Sequence, residues 1–145
     1  MKIGDAFEFA PPVGWRESQE GAQHIFRSPK DETLVVSGYF VSGLPSAESQ
    51  SARDRLFSNA RRVMQNSASD PALREIAPLT KREEFKKLEV WSQHSITTDG
   101  RVAFSQAALV SDRGILLMTL ESLATGDHMQ IFQSAVSSVS GISKS

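Results

Sequence analysis

Apolar positions alternate with period two through most of this chain and recur at helical spacing in two stretches. Near the start, Phe7, Glu8 and Phe9 put both rings on one side of a strand. Pro11 and Pro12 cannot donate to a ladder and push Ala10 extended, so the strand ends there. Gly14 turns the backbone and Trp15 begins the next extended piece. Gln23 to Ser28 and Glu32 to Val41 read as a hairpin around Pro29-Lys30-Asp31. Leu44-Pro45-Ser46 closes this unit and opens a helix, with Ser46 or Ser49 as N-cap.

Through Ser67 the residues Ala52, Leu56, Phe57, Ala60, Val63 and Met64 form one helical stripe, with Arg55 and Arg62 opposite. Arg53 falls inside the stripe, where it either snorkels or pairs with a sheet carboxylate. Asn66 to Thr80 reads as a loop interrupted by Pro71 and Pro78, with at most a short strand at Leu73 to Ala77. A strand is expected from about Phe85 to Thr98. Asp99-Gly100 is the favoured type I′ turn, joining that strand to Arg101–Val110. Ser111–Gly114 then turns into Ile115–Ser122, which completes a three-stranded meander.

Ala107, Leu109, Leu116, Met118 and Leu120 take one parity; Phe104, Ala108, Val110, Ile115 and Leu117 take the other. Both faces of the meander are apolar, so each needs a cover. A last helix from roughly Asp127 to Ser140 buries Met129, Phe132, Val136 and Val139. Asp127 and Gln130 match a capping box, and Gly141 the C′ glycine. The fold class is α+β: an antiparallel sheet of six or seven strands flanked by two main helices. At 145 residues, one domain is expected.

Chemistry-bearing motifs are scarce. The chain has no cysteine, which removes disulfides and thiolate sites. His24, His94 and His128 lie on three separate elements, without metal-ligand spacing. His94 shares the parity of Leu88, Val90 and Ile96, which makes it a hydrogen-bonded sheet histidine. Neither Gly-x-Ser-x-Gly nor a phosphate-cradling glycine loop occurs. Glu83 and Glu84, being adjacent on a strand, point to opposite faces. An enzyme needs His94 or His128 beside a carboxylate in a cleft, which no spacing here predicts. The expectation is therefore a protein that is not an enzyme and carries no metal or cofactor.

Basic clusters at Arg53, Arg55, Arg61 and Arg62, and at Lys81, Arg82, Lys86 and Lys87, are interrupted by acidic residues in a chain of net charge −1. They read as solvated, partly paired faces and not as a nucleic-acid surface. No apolar run is long enough to insert in a membrane. No signal-peptide core is present, so with a native N-terminus the protein is expected in the cytoplasm. Trp15, Phe40, Phe85 and Trp91 are candidate partner anchors. Together with Leu109, Met118 and Arg53, Trp15 and Trp91 make the candidate partner-binding set.

Phe7, Phe9, Pro12, Gly14 and Trp15 resemble the start of PsbP-like domains, and Gly100–Ser122 with Phe132 and Ser137 is similar to their closing hairpin and helix. This PsbP-like/DcrB-like family includes the yeast Ran-binding Mog protein and the Eag adaptor chaperones of type VI secretion. The resemblance implies protein binding and supplies no catalytic residues. Its sharpest version is a bacterial adaptor or chaperone for a secreted effector; a related one is an immunity protein that binds a toxin. A homodimer is compatible with either. The competing class is a small-ligand or lipid-binding domain with its pocket between sheet and helix.

Overall fold

The computed structural model describes residues 1–40, 46–124 and 126–142, without the side chains of 46–50, 53, 68 and 83–85. The Leu44-Pro45 boundary, the Ser46 or Ser49 cap, the side chain of Arg53, the Glu83-Glu84 pair and the Phe85 ring lie outside the described residues. Element order is β1 (Lys2–Ile3), β2 (Phe7–Glu8), β3 (Arg16–Glu20), β4 (Gln23–Arg27), β5 (Thr33–Phe40), α1 (Ser46–Ala68), β6 (Leu73–Phe85), β7 (Leu88–Thr97), β8 (Val102–Ser111), β9 (Gly114–Leu123), α2 (His128–Ser137) and β10 (Ser140–Gly141). Seven strands form one antiparallel sheet in the order β3-β4-β5-β9-β8-β7-β6, and β1-β2-β10 form a small second one. The α+β class with a seven-stranded antiparallel sheet and two helices is thus as the patterning indicates.

Strand register sorts the side chains onto two faces. On one, Leu34, Val36, Leu88, Val90, Ala107, Leu109, Leu116, Met118 and Leu120 pack with Phe132, Ala135, Val136 and Val139 of the α2 segment, and with Ile3, Phe7 and Phe9 of the small sheet. On the other, Ala108 and Ile115 pack beneath Ala60 and Met64 of α1, with Leu56, Phe57 and Trp91 alongside. Both covers demanded by the doubly apolar meander are present. Gly114 permits the β5–β9 approach, since a Cβ there would overlap the Tyr39 carbonyl oxygen.

The structure corrects several local expectations. Of the segment read as loop, Asn66–Ala68 ends α1, and the short strand at Leu73 to Ala77 opens β6. This thirteen-residue edge strand runs on through Pro78 to Phe85, with register shifts between Glu75 and Ala77, between Ala77 and Thr80, and between Arg82 and Phe85. Bulges erase the alternation, and an edge strand tolerates Pro78 because one side of it needs no ladder donor. The strand expected from Phe85 is instead split by a two-residue turn at Lys86-Lys87, both with positive φ (51° and 65°), and β7 starts at Leu88. Asp99-Gly100 does make a hairpin, but only Gly100 has positive φ. Thr97 carbonyl accepts from Gly100 N–H, so the loop is longer than a type I′ turn.

Helix α2 runs His128–Ser137 with Asp127 at its N-cap position, ending before the expected Ser140. Asp127, at φ −93° and ψ 7°, leaves its carboxylate without a cap hydrogen bond, so the capping box does not form. Gly141 pairs with Phe7 in β10 instead of closing the helix. Val63 turns outward from the stripe assigned to it, Met129 is partly exposed with its Sδ 3.9 Å from Ser105 Oγ, and Ala135 and His128 take up buried positions on α2.

Candidate functional site

Two polar constellations are built into this fold, one under each helix. Beneath α2, Ser105 on β8 and Ser122 on β9 occupy the parity of the core residues Leu109 and Met118. His94 on β7 pairs directly with Ser105. The first residue of α2, His128, drops onto the same spot. Its Nε2 lies 2.7 Å from Ser105 Oγ and its Nδ1 lies 2.6 Å from Ser122 Oγ, while Ser105 Oγ also lies 2.7 Å from His94 Nδ1. The result is a chain, His94–Ser105–His128–Ser122, in which each hydroxyl can donate one hydrogen bond and accept another. Phe132 closes the side, its ring edge-on to His94 at 5.5 Å.

The pKa of each histidine is lowered. For His128 burial is the larger cause and the charge of His94 the second; for His94 burial again leads, followed by the Arg82 cation. Burial thus favours the neutral form of both imidazoles, in which one ring nitrogen of His128 can donate to one serine and the other accept from the second. Ser105 is a hydroxyl flanked by two imidazoles, but it is 1% exposed and sealed under α2. The arrangement ties the first turn of α2 to β8 and β9 through side-chain hydrogen bonds. His24 stays apart, 3.5 Å from Glu17 on the β3–β4 hairpin.

Under α1 a second row crosses the sheet. Gln93 Nε2 donates to the Met64 carbonyl at 2.7 Å and to Gln106 Oε1, and Gln106 Nε2 donates to Thr119 Oγ1 at 3.2 Å. On one side of this row lies an open cleft of about 350 Å³ at the C-terminal end of α1; on the other, a smaller one of about 110 Å³ between α1 and β5. A third groove, about 450 Å³, separates the Pro11–Pro12 arch and Trp15 from Ile131 and Ser134 of α2.

The expected partner-binding residues are scattered by the fold. Leu109 and Met118 are fully buried core residues of the α2 face and present no surface. Trp91 is half-buried beneath α1, 5.3 Å from the Phe57 ring, with the Arg61 guanidinium 5.7 Å from its centroid and its Nε1 donating to Glu89. It seals the helix against the sheet. Trp15 is half-buried against the α2-side core and borders the open groove, while Phe40 is exposed at the end of β5. Lys81 pairs with Glu89 at 3.2 Å, in keeping with a partly paired basic face. The residues overlooked were Ser105, Ser122, Gln93 and Ser95. Their signal is a polar side chain on a parity otherwise reserved for the core. Among the described residues no group of three or more potential metal ligands forms, and no helix is long and apolar enough to cross a membrane.

In class this is an α+β fold with a seven-stranded antiparallel sheet between helices. No family model and no curated protein matches the chain. Among solved structures, a protein of Bacteroides thetaiotaomicron superposes with a TM-score of 0.58 at 10% identity over 95% of this chain. The chain spans 46% of that protein's length. LpqN of Mycobacterium tuberculosis, described as involved in cell envelope biogenesis, gives a TM-score of 0.49 at 12% identity, covering 93% of this chain and 82% of its own. At such identities the likeness is one of fold alone.

Proposed function

We propose that this chain is a protein-binding module without catalytic activity, and that it receives an amphipathic helix of its partner beside α1. The observation that carries the proposal is the uneven cover of the sheet. Seven strands at about 4.8 Å spacing span roughly 29 Å, whereas one helix with its side chains covers about 10–12 Å. The α1 face has that one helix, lying over β6, β8 and β9. Over β5 the face carries half-buried Val35 and exposed Tyr39, and exposed Val63 overhangs the same cleft from α1.

The sheet edges favour this mode over strand addition. β3 reads RESQE and is exposed throughout, while β6 is bulged, contains Pro78 and carries the charged run Lys81 to Glu84. Such edges resist pairing with another strand. The PsbP-like resemblance of Phe7–Trp15 fits the same reading and supplies its finer version, an adaptor for apolar helices of a secreted effector or an immunity-type protein bound to a toxin. The small-ligand alternative rests on a different feature, the polar cleft at the far end of α1.

The test is cross-linked affinity capture from the native host with wild-type protein, Tyr39→Glu, Val63→Glu and a β3 control, Ser18→Glu. Recovery of one stoichiometric partner by wild type and control, cross-linked through a helical segment and lost from both exposed-position variants, supports the proposal. A partner retained by both variants places docking elsewhere and ends it.

A further inference from the structure

The cleft at the C-terminal end of α1 contains two buried polar groups that the protein does not satisfy. Gln93 is 5% exposed and Ser95 6%, and both border the cleft. The Met64 carbonyl can only accept, so the Gln93 group facing it is the NH2, and both of its hydrogens are used, on Met64 and on Gln106. Gln93 Oε1 is left over. Among the described residues neither that oxygen nor the Ser95 hydroxyl has a hydrogen-bond partner. Buried oxygens without a protein partner are rare in folded proteins and are met by water or by a ligand.

The rest of the cleft defines the occupant's chemistry. Leu73 and Phe104 provide apolar walls, the exposed Asp70 adds a carboxylate, and among the described residues none that borders the cleft is basic. The Asp70 carboxylate is already oriented, accepting from the Ala72 N–H at 2.9 Å. At about 350 Å³ the space suits a fragment-sized molecule. Thr119 and Gln106 complete the floor, and their hydrogen bond across β8 and β9 holds the Gln93 amide in place.

We propose that this cleft binds a small molecule carrying N–H donors on a flat apolar body, an aromatic amide or amidinium, and discriminates against the corresponding carboxylate. The donors meet Gln93 Oε1 and Ser95 Oγ, and the ring lies against Phe104. A positive charge gains from Asp70. A carboxylate finds a donor only in the Ser95 hydroxyl; it sets an acceptor against Gln93 Oε1 and a negative charge beside Asp70, at the cost of its own desolvation.

The experiment titrates the purified, isotopically labelled protein with benzamidine, benzamide and benzoate, three probes of equal heavy-atom count, while following the Gln93 side-chain NH2 and the Phe104 backbone by NMR. Saturable shifts are expected with benzamidinium and benzamide at a Kd on the order of 10 mM or tighter, with benzoate at least about tenfold weaker. Ser95→Ala, confined in its spectral effect to the neighbourhood of β7 and β8 if the fold is kept, weakens both binders, whereas Asp70→Asn weakens benzamidinium and spares benzamide. No saturable shift from any probe means the cleft holds solvent only and overturns the proposal. Benzoate binding as well as benzamide overturns it too. The measurement involves no protein partner, so its failure and that of the docking proposal are distinguishable.

Discussion

His128 Nδ1 lies 2.6 Å from Ser122 Oγ, so the first residue of α2 is bonded directly to the strand it covers. This contact, continued through Ser105 to His94, explains how a ten-residue helix without a side-chain cap keeps its place on the sheet. It has a pH signature. Both histidine pKa values are lowered in the folded state, by burial first. The unfolded chain then binds protons from about pH 6.5 downward while the folded chain resists them. Stability is full above that pH and declines as pH falls through and below it. Urea midpoints at a series of pH values should decrease on acidification, and His128→Gln should flatten the decline. An unchanged midpoint from pH 7.5 to 5 contradicts the neutral chain.

Leu109 and Met118 sit in the core, and truncation should be felt as lost stability. Leu109→Ala is expected to cost about 2–5 kcal/mol by urea denaturation, whereas Tyr39→Glu changes stability by no more than about 0.5 kcal/mol. If Leu109→Ala were as mild as Tyr39→Glu, the packing of the α2 face would need revision.

Phe57 and Trp91 bind α1 to its face of the sheet, with Arg61 over both rings. Phe57→Ala should cost about 1–3 kcal/mol, less than a fully buried ring because both side chains are partly exposed. In a Trp15→Phe background, the Trp91 emission should shift to the red as its cover is removed. Unmoved emission would separate the two rings.

Lys87 holds φ at 65° in the turn between β6 and β7. A non-glycine residue in this region costs about 1–2 kcal/mol, so Lys87→Gly is expected to raise Tm by about 2–4 °C, the glycine's greater unfolded-state entropy taking back part of the gain. Lys86 is left in place because its Nζ donates to the Ser137 carbonyl at 3.1 Å. A lowered Tm would show that the Lys87 side chain contributes more than its backbone costs.

Much of this architecture was legible in the chain. Period-two alternation from Val102 to Leu120 specified a meander with two apolar faces, and the Phe132–Val136 spacing specified the helix that covers one of them. These are local signals, since neighbouring residues along an element share a geometry that repeats. Only the Leu73–Ala77 start of β6 was legible, because bulges and Pro78 break that repetition further on, and an edge position makes both harmless. The Lys86-Lys87 turn lacked the usual Asn-Gly chemistry. The histidine–serine chain was beyond reach for a deeper reason. His94, Ser105 and His128 are separated by 11 and 23 residues, and nothing in their spacing says that α2 will set its first residue above β8. Periodicity determines which side of an element faces inward. Which side chains meet there is decided by how helices and sheet pack, because contact depends on position in three dimensions and the alternation of apolar residues carries no record of the element opposite.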